Sequence, residues 1–258
     1  MGQLHYIYPK LFAHVDLGFA RIGGNGLANC LFVYARAICE AKRTGAKLIT
    51  PTWVRFSPST YLRREKDKRH YTQLFQANNE ITGIKKIFYM NSNKTKIISG
   101  LGNYFRDFID EAEHCSDYII QHINPKIKEL VNKFDFTNCV AVHVRLGDYP
   151  QSLRTPLSFY KRHIIEKYKA NDKNRFLVFS DGTDEELAEL LTLPNVERVF
   201  FGSAIADILA ISKCSFLIGS DSTFSGWGAF LGQVPCVFYR KHYGRILVNT
   251  NNEKVENI

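Results

Sequence analysis

The run VAVHVRLGDYP, residues 140–150, ends in three side chains with complementary chemistry: His143, Arg145 and Asp148. An arginine can grip a phosphate through two parallel hydrogen bonds, a histidine can donate or accept near neutral pH, and an aspartate can orient either one or take a proton. Side chains alternate along a strand, so Val140, Val142 and Val144 share one face while Ala141, His143 and Arg145 share the other. Gly147 then supplies a turn. The polar pair therefore falls at the carboxyl end of a strand, where open α/β sheets hold ligands. An edge strand with a solvated polar face would read the same way, so three further loops bear on the choice.

GGNGLAN, residues 23–29, precedes a helix and lets backbone amides approach an anion at the helix N-terminus; Gly26 and Asn29 belong to it. A plain tight turn explains the glycines equally, and the dinucleotide pattern GxGxxG is not met, because Asn29 stands where its last glycine would fall. FSDGTD sets Ser180 and Asp181 at a strand end, where Asp181 is either a turn residue or a ligand contact. IGSDSTFSGWG gathers Ser220, Asp221, Ser222, Thr223 and Ser225 ahead of a helix, as a phosphate site requires. N-capping accounts for one of those hydroxyls, not for all of them.

The elements that must position these loops are clear in the second half of the chain. CVAVHVRL, RFLVFSDG, VERVFFG, SFLIGS and PCVFYR read as strands, the last of them final. The segments between them read as helices, and Thr183 and Glu186 form a capping box at the start of one. Such alternation predicts right-handed βαβ units in a parallel sheet, a Rossmann-like domain. In the first half HVDLGFARI reads as one strand, followed by a helix whose apolar face holds Leu31, Tyr34, Ala35, Ile38 and Cys39, and then by the strand AKLITP. Residues 55–99 read as loops and irregular helix. A helix in NPKIKELVNKF leads to a boundary that gives domains 1–138 and 139–258. The predicted class is α/β with two Rossmann-like domains.

At 258 residues and 45% hydrophobic composition the chain can bury a large core. Its formal charge of +9 favours anionic partners without choosing among them. The six cysteines lack CxxC spacing and several lie in apolar runs, which predicts reduced, mostly buried thiols and a cytoplasmic protein. The opening MGQLHYIYPK has no signal-like apolar stretch, and no run approaches the roughly 20 apolar residues of a membrane span. The basic run Arg63, Arg64, Lys66, Lys68 and Arg69 would suit an acidic membrane surface. It also suits nucleic acid, but no recognised nucleic-acid motif accompanies it, and nucleic acid is not an expected partner.

Four ordered segments, GLANCLFVYARA, HVRLGDY, FSDG and SDSTFSGWGAFLG, resemble the motifs of the α-1,2-fucosyltransferases, glycosyltransferase family 11. In that family they read approximately GLGNQLFQYA, HxRRGDY, FSDD and SNSSFSWWAA. The resemblance implies a GT-B-like pair of domains, acceptor side first and nucleotide-sugar side second. It implies GDP-fucose as donor and a galactose-containing glycan as acceptor, while the basic run near residue 66 leaves a lipid-linked glycan acceptor open. It also implies inversion at the anomeric carbon without a metal or other cofactor. The absence of any DxD sequence agrees with the last point. By position, Arg145 matches the arginine on the β-phosphate, His143 the histidine beside the nucleotide, and Asp148 the closing aspartate, which fixes the loop or acts as general base. Asp181 matches the acidic residue near the purine. Ser222, Thr223 and Phe224 match the phosphate loop, and Asn29 the asparagine of the N-terminal loop. Leu146 replaces the second arginine, Ala28 a glycine and Gly226 a tryptophan. These departures keep open another nucleotide sugar, or a binding protein without catalysis.

Overall fold

In the computed structural model, residues 5–57, 69–147, 150–239 and 253–255 are described. The chain divides into two compact units, Met1–Pro125 and Lys126–Ile258.

In the first unit β1 (Tyr6–Pro9) is followed by β2 (Val15–Asp16), β3 (Arg21–Ile22), α1 (Leu27–Thr44), β4 (Lys47–Leu48) and β5 (Arg55–Phe56). Then come α2 (Gly83–Tyr89), β6 (Thr95–Ile98) and α3 (Ala112–His122). A parallel sheet in the order β4-β1-β6 carries α1, whose predicted apolar face is buried in full. The helix stops at Gly45, which takes the left-handed conformation that only glycine adopts freely.

Three expectations are corrected here. HVDLGFARI is a hairpin rather than one strand: β2 and β3 pair antiparallel, the Leu17 amide donates to the Ala20 carbonyl at 2.9 Å, and Gly18 turns the chain with φ of 82°. The central strand of the parallel sheet is YIYP instead, a stretch too short for its periodicity to speak. Residues 55–99 hold β5, α2 and β6, elements of two to seven residues that escape pattern reading for the same reason.

The small sheet β2-β3-β5 has inverted polarity. Asp16, Arg21 and Arg55 pair across it on one face, with both arginines buried, while Val15, Ile22 and Phe56 pair across it on the other and stand exposed.

The second unit follows the predicted alternation closely. After α4 (Pro125–Asn132) come β7 (Cys139–Val144), α5 (Leu157–Ala170), β8 (Arg175–Ser180), α6 (Asp184–Leu191) and β9 (Val196–Arg198). The chain continues through α7 (Ala204–Ile211), β10 (Phe216–Gly219), α8 (Thr223–Gly232) and β11 (Cys236–Phe238) to β12 (Glu253–Val255). The division between units falls at Pro125, ahead of the 138/139 boundary read from sequence, so that α4 lies in the second unit except for its first residue. PCVFYR, read from sequence as the final strand, is followed by β12, which pairs in parallel with β11; the short, charged sequence of β12 is that of an edge.

All strands of this sheet are parallel, in the order β9-β8-β7-β10-β11-β12. That is the doubly wound Rossmann order, whose strand sequence reverses between β7 and β10. Val140, Val142, Val144 and Leu146 pack into an apolar cluster with Phe159, Tyr160 and Ile164 of α5 and Leu187 and Leu190 of α6. The opposite face of β7 thus carries His143, as alternation requires. The capping box is present: Thr183 Oγ1 accepts from the Glu186 amide, and Glu186 accepts from the Thr183 amide. All six cysteines are buried.

Candidate active site

The reversal point between β7 and β10 positions the first cluster. The parallel register sets Gly219 against His143, and the Ser220 amide donates to the His143 carbonyl at 2.9 Å. The chain leaving β10 must then pass over the imidazole. Nδ1 of His143 lies 2.6 Å from Ser225 Oγ, 3.0 Å from Ser220 Oγ and 3.5 Å from Ser222 Oγ. The Phe224 ring stacks on it with centroids 4.7 Å apart. His143 is 5% exposed, and burial holds its pKa down to about 3, with Asp181 opposing the shift and Arg145 adding to it. The ring is neutral at physiological pH. Three hydroxyls around Nδ1 suit the tautomer whose proton sits on Nε2, which leaves one ring N–H as a donor.

This arrangement changes the reading of the serine-rich loop. Ser220 and Ser225 are buried and face the imidazole, and Ser222 is the N-cap of α8, accepting from the Ser225 amide at 3.3 Å. The hydroxyl cluster anchors His143. Thr223 and Phe224 form the first turn of α8 and are half-buried beside it, where the helix dipole favours an anion.

The second cluster joins the ends of β7 and β8. Asp181 Oδ2 accepts from Arg145 Nη1, while Oδ1 accepts from the amides of Leu146 at 2.9 Å and Gly147 at 3.2 Å. Arg154 donates to the Gly147 carbonyl at 3.2 Å and pairs with Glu186 at 3.3 Å, tying the same loop to the start of α6. The Asp181 carboxylate thus orients Arg145 and holds the loop. Leu146 points the other way, into the apolar cluster at 6% exposed, against Gly182. Asp148 lies outside the described residues, as do Arg63, Arg64, Lys66 and Lys68.

In the first unit Gly26 is the N-cap residue of α1, and Asn29 sits half-buried in its first turn. Two arginines that sequence reasoning missed hold this loop. Arg21 donates to the carbonyls of Phe12 at 2.6 Å and Gly23 at 3.2 Å, and Arg55 to those of Gly23 at 3.1 Å and Gly24 at 2.6 Å. Tyr71 accepts from the Leu27 amide at 2.9 Å, and both guanidinium groups lie just under 6 Å from its ring. Gly24 is required: its φ is 91°, and a Cβ there would stand 1.8 Å from the Phe12 carbonyl oxygen. Nothing in the pattern around Arg55 announces its role, since it is the first residue of the stretch read as irregular.

Among the described residues, no group of three or more His, Cys, Asp and Glu side chains is placed to hold a metal ion.

A doubly wound domain with an arginine and a buried histidine at its reversal point presents a candidate ligand site there, and the comparisons with known proteins carry this further. The model of Glycosyl transferase family 11 matches residues 48–238, and the chain belongs to that family. It is thus a glycosyltransferase. The NodZ alpha-1,6-fucosyltransferase of Bradyrhizobium, co-crystallised with GDP, is similar over 93% of this chain and 96% of its own, with a TM-score of 0.56 at 16% identity. A mutant of Arabidopsis thaliana FUT1 in complex with GDP is similar over 93% of this chain and 71% of its own, with a TM-score of 0.53 at 12% identity. The E. coli heptosyltransferase WaaC with ADP matches over 97% and 92%, with a TM-score of 0.53 at 12% identity. The shared fold is of the GT-B type, as the sequence predicts. No curated protein sequence matches the chain.

Proposed function

We propose that this enzyme transfers fucose from GDP-fucose, with inversion and without a metal, in α-1,2 linkage to a galactose-containing glycan, free or lipid-linked. The observation that carries the proposal is the pairing of Arg145 with Asp181 beside the neutral, serine-anchored His143, at the reversal point of a family 11 chain. In the reaction the acceptor oxygen forms a bond to the anomeric carbon as the bond to the diphosphate oxygen breaks. The bonding pair leaves with the diphosphate, and the acceptor proton goes to a base. Arg145 offsets the charge that develops on the leaving group, helped by the N-terminus of α8.

His143 is not that base. A group whose pKa is held to about 3 is a weak proton acceptor at neutral pH, so we assign it to hydrogen bonding beside the nucleotide. Asp148 has one of two roles, fixing the loop after β7 or accepting the proton. Asn29 and Gly26 are assigned to substrate contacts of the first unit, and Ser222, Thr223 and Phe224 to the donor side.

Leu146 favours a second reading. Because it fills the core, the chain lacks the second arginine of the family pattern, and a different nucleotide sugar is then the natural alternative. One experiment separates the readings: purified protein is offered GDP-fucose, other GDP-, UDP- and ADP-sugars, and simple β-galactosides, with and without a chelator. Transfer from GDP-fucose that survives the chelator supports the proposal. Transfer only from another donor replaces it, and donor binding with no nucleotide release identifies a non-catalytic relative.

A further inference from the structure

Ten of the thirteen large apolar side chains left exposed among the described residues lie in the first unit, so that unit carries the surface in need of a cover. The three most exposed of these are Phe19 at 68%, Ile84 at 73% and Phe88 at 74%. They come from two elements that meet. Gly18, in the β2–β3 turn, approaches α2 so closely that a Cβ on it would lie 3.3 Å from Ile87 Cγ1, and Phe19, Ile84 and Ile87 line one cavity of about 410 Å³. Beside them, the outer row of the β2-β3-β5 sheet is apolar while both arginines of its charged row are buried. An exposed apolar area of this kind marks an interaction surface.

Charge selects the partner. Lys85 is exposed on α2, and the chain as a whole carries a formal charge of +9. The carboxylates of Asp16 and Glu80 are turned to the hydroxyls of Tyr8 and of Tyr34 and Tyr118 respectively, which donate to them. A second copy would bring two chains of +9 together, and that repulsion disfavours it. Aromatic and aliphatic tips beside an exposed lysine, on a chain of net positive charge, fit the interface of an anionic bilayer, where apolar groups enter the acyl boundary and ammonium groups stay at headgroup level. We infer that the β2–β3 turn and α2 form the membrane-seating face of this protein, with Phe19, Ile84 and Phe88 inserted among the lipids and Lys85 at their phosphates. This inference stands independently of the donor and linkage proposed above.

The test uses the full chain, with vesicles of phosphatidylcholine alone or mixed with phosphatidylglycerol. Flotation should carry the protein with the mixed vesicles. Phe19→Ser and Phe88→Ser should each weaken that binding by about tenfold, the cost of keeping one phenyl ring out of an apolar phase. GDP-induced thermal stabilisation should not change. In Phe88→Trp, brominated acyl chains should quench the new indole. The inference is overturned if the mixed vesicles do not carry the protein, or if the tryptophan is unquenched on bound protein. It also fails if charge reversal in the basic run of residues 63–69 abolishes binding while the Phe variants do not, or if Phe88→Ser instead splits a lipid-free dimer.

Discussion

Asp181, which follows β8, binds Arg145 with one carboxylate oxygen and the amides of Leu146 and Gly147 with the other, so a single side chain sets both the direction of the guanidinium and the path of the loop behind it. Arg145→Ala should lower transfer on the order of a hundredfold, the usual loss when a preorganised donor to a developing charge is removed. Arg145→Lys should be severely impaired as well, because an ammonium lacks the planar fork. Asp181→Asn should act through the same arginine. Its effect on kcat/KM should be large alone and small when Arg145 is already alanine, and additive losses in the double variant would show that the two residues act separately.

His143 makes the fold sensitive to acid. Its pKa falls from 6.5 in the unfolded chain to about 3 in the folded one, so between those values the unfolded state binds the extra proton. Stability from this group is therefore fully present above pH 6.5 and is lost as pH falls toward 3, with a slope approaching about 1.4 kcal/mol per pH unit. Chemical denaturation from pH 7 to pH 4 should show that slope in the wild type and a shallower one in His143→Gln. Equal slopes would mean that the imidazole is not held neutral by its surroundings.

The second unit was legible because its strands and helices are long enough for their periods to register, and because β7 carries its chemistry on a single face. Residues 140, 142 and 144 go to the core and His143 to the site, as alternation alone demands. Partners across strands were not legible. That Ser220 and Ser225 turn inward to His143 follows from the register of Gly219 with His143, and register is a tertiary property. The same holds for Asp181, whose link to Arg145 depends on β8 lying beside β7. In the first unit the elements are too short for a period, and the polarity of the β2-β3-β5 sheet contradicts the usual pattern, so Arg21 and Arg55 read as surface residues although both are buried.

Nucleotide preference follows from the proposed donor and can be measured without an acceptor. GDP should raise the melting temperature more than UDP, without added divalent metal, because a ligand that binds only the native state stabilises it by mass action. At a hundredfold excess over its dissociation constant the gain is about 2.7 kcal/mol. Equal shifts with the two nucleotides, or a shift that appears only with manganese, would count against a metal-independent GDP site. Arg145→Ala should reduce the GDP shift while leaving the melting temperature of the free protein nearly unchanged, since the guanidinium lies at the edge of the fold rather than within it.

Leu146 offers a test of why this chain departs from the family pattern. Its side chain lies in the apolar cluster with Val144, Phe159 and Tyr160, and a Cβ on Gly182 would come within 2.6 Å of its Cδ1. Leu146→Arg restores the pattern's second arginine but asks a guanidinium to occupy that space, and an uncompensated buried charge costs several kcal/mol, on the order of 3 or more. Leu146→Met keeps the volume and should cost less than about 1.5 kcal/mol. Denaturant melts of the two variants therefore discriminate packing from chemistry: a marked loss for the arginine with little for the methionine identifies Leu146 as a core residue whose neighbours have adapted to it. Should Leu146→Arg melt like wild type and transfer faster, its guanidinium would have turned out toward Glu186, whose Oε2 lies 3.1 Å from a Cβ built on Gly182, and the leucine would be a loss of function rather than a fixture of this fold.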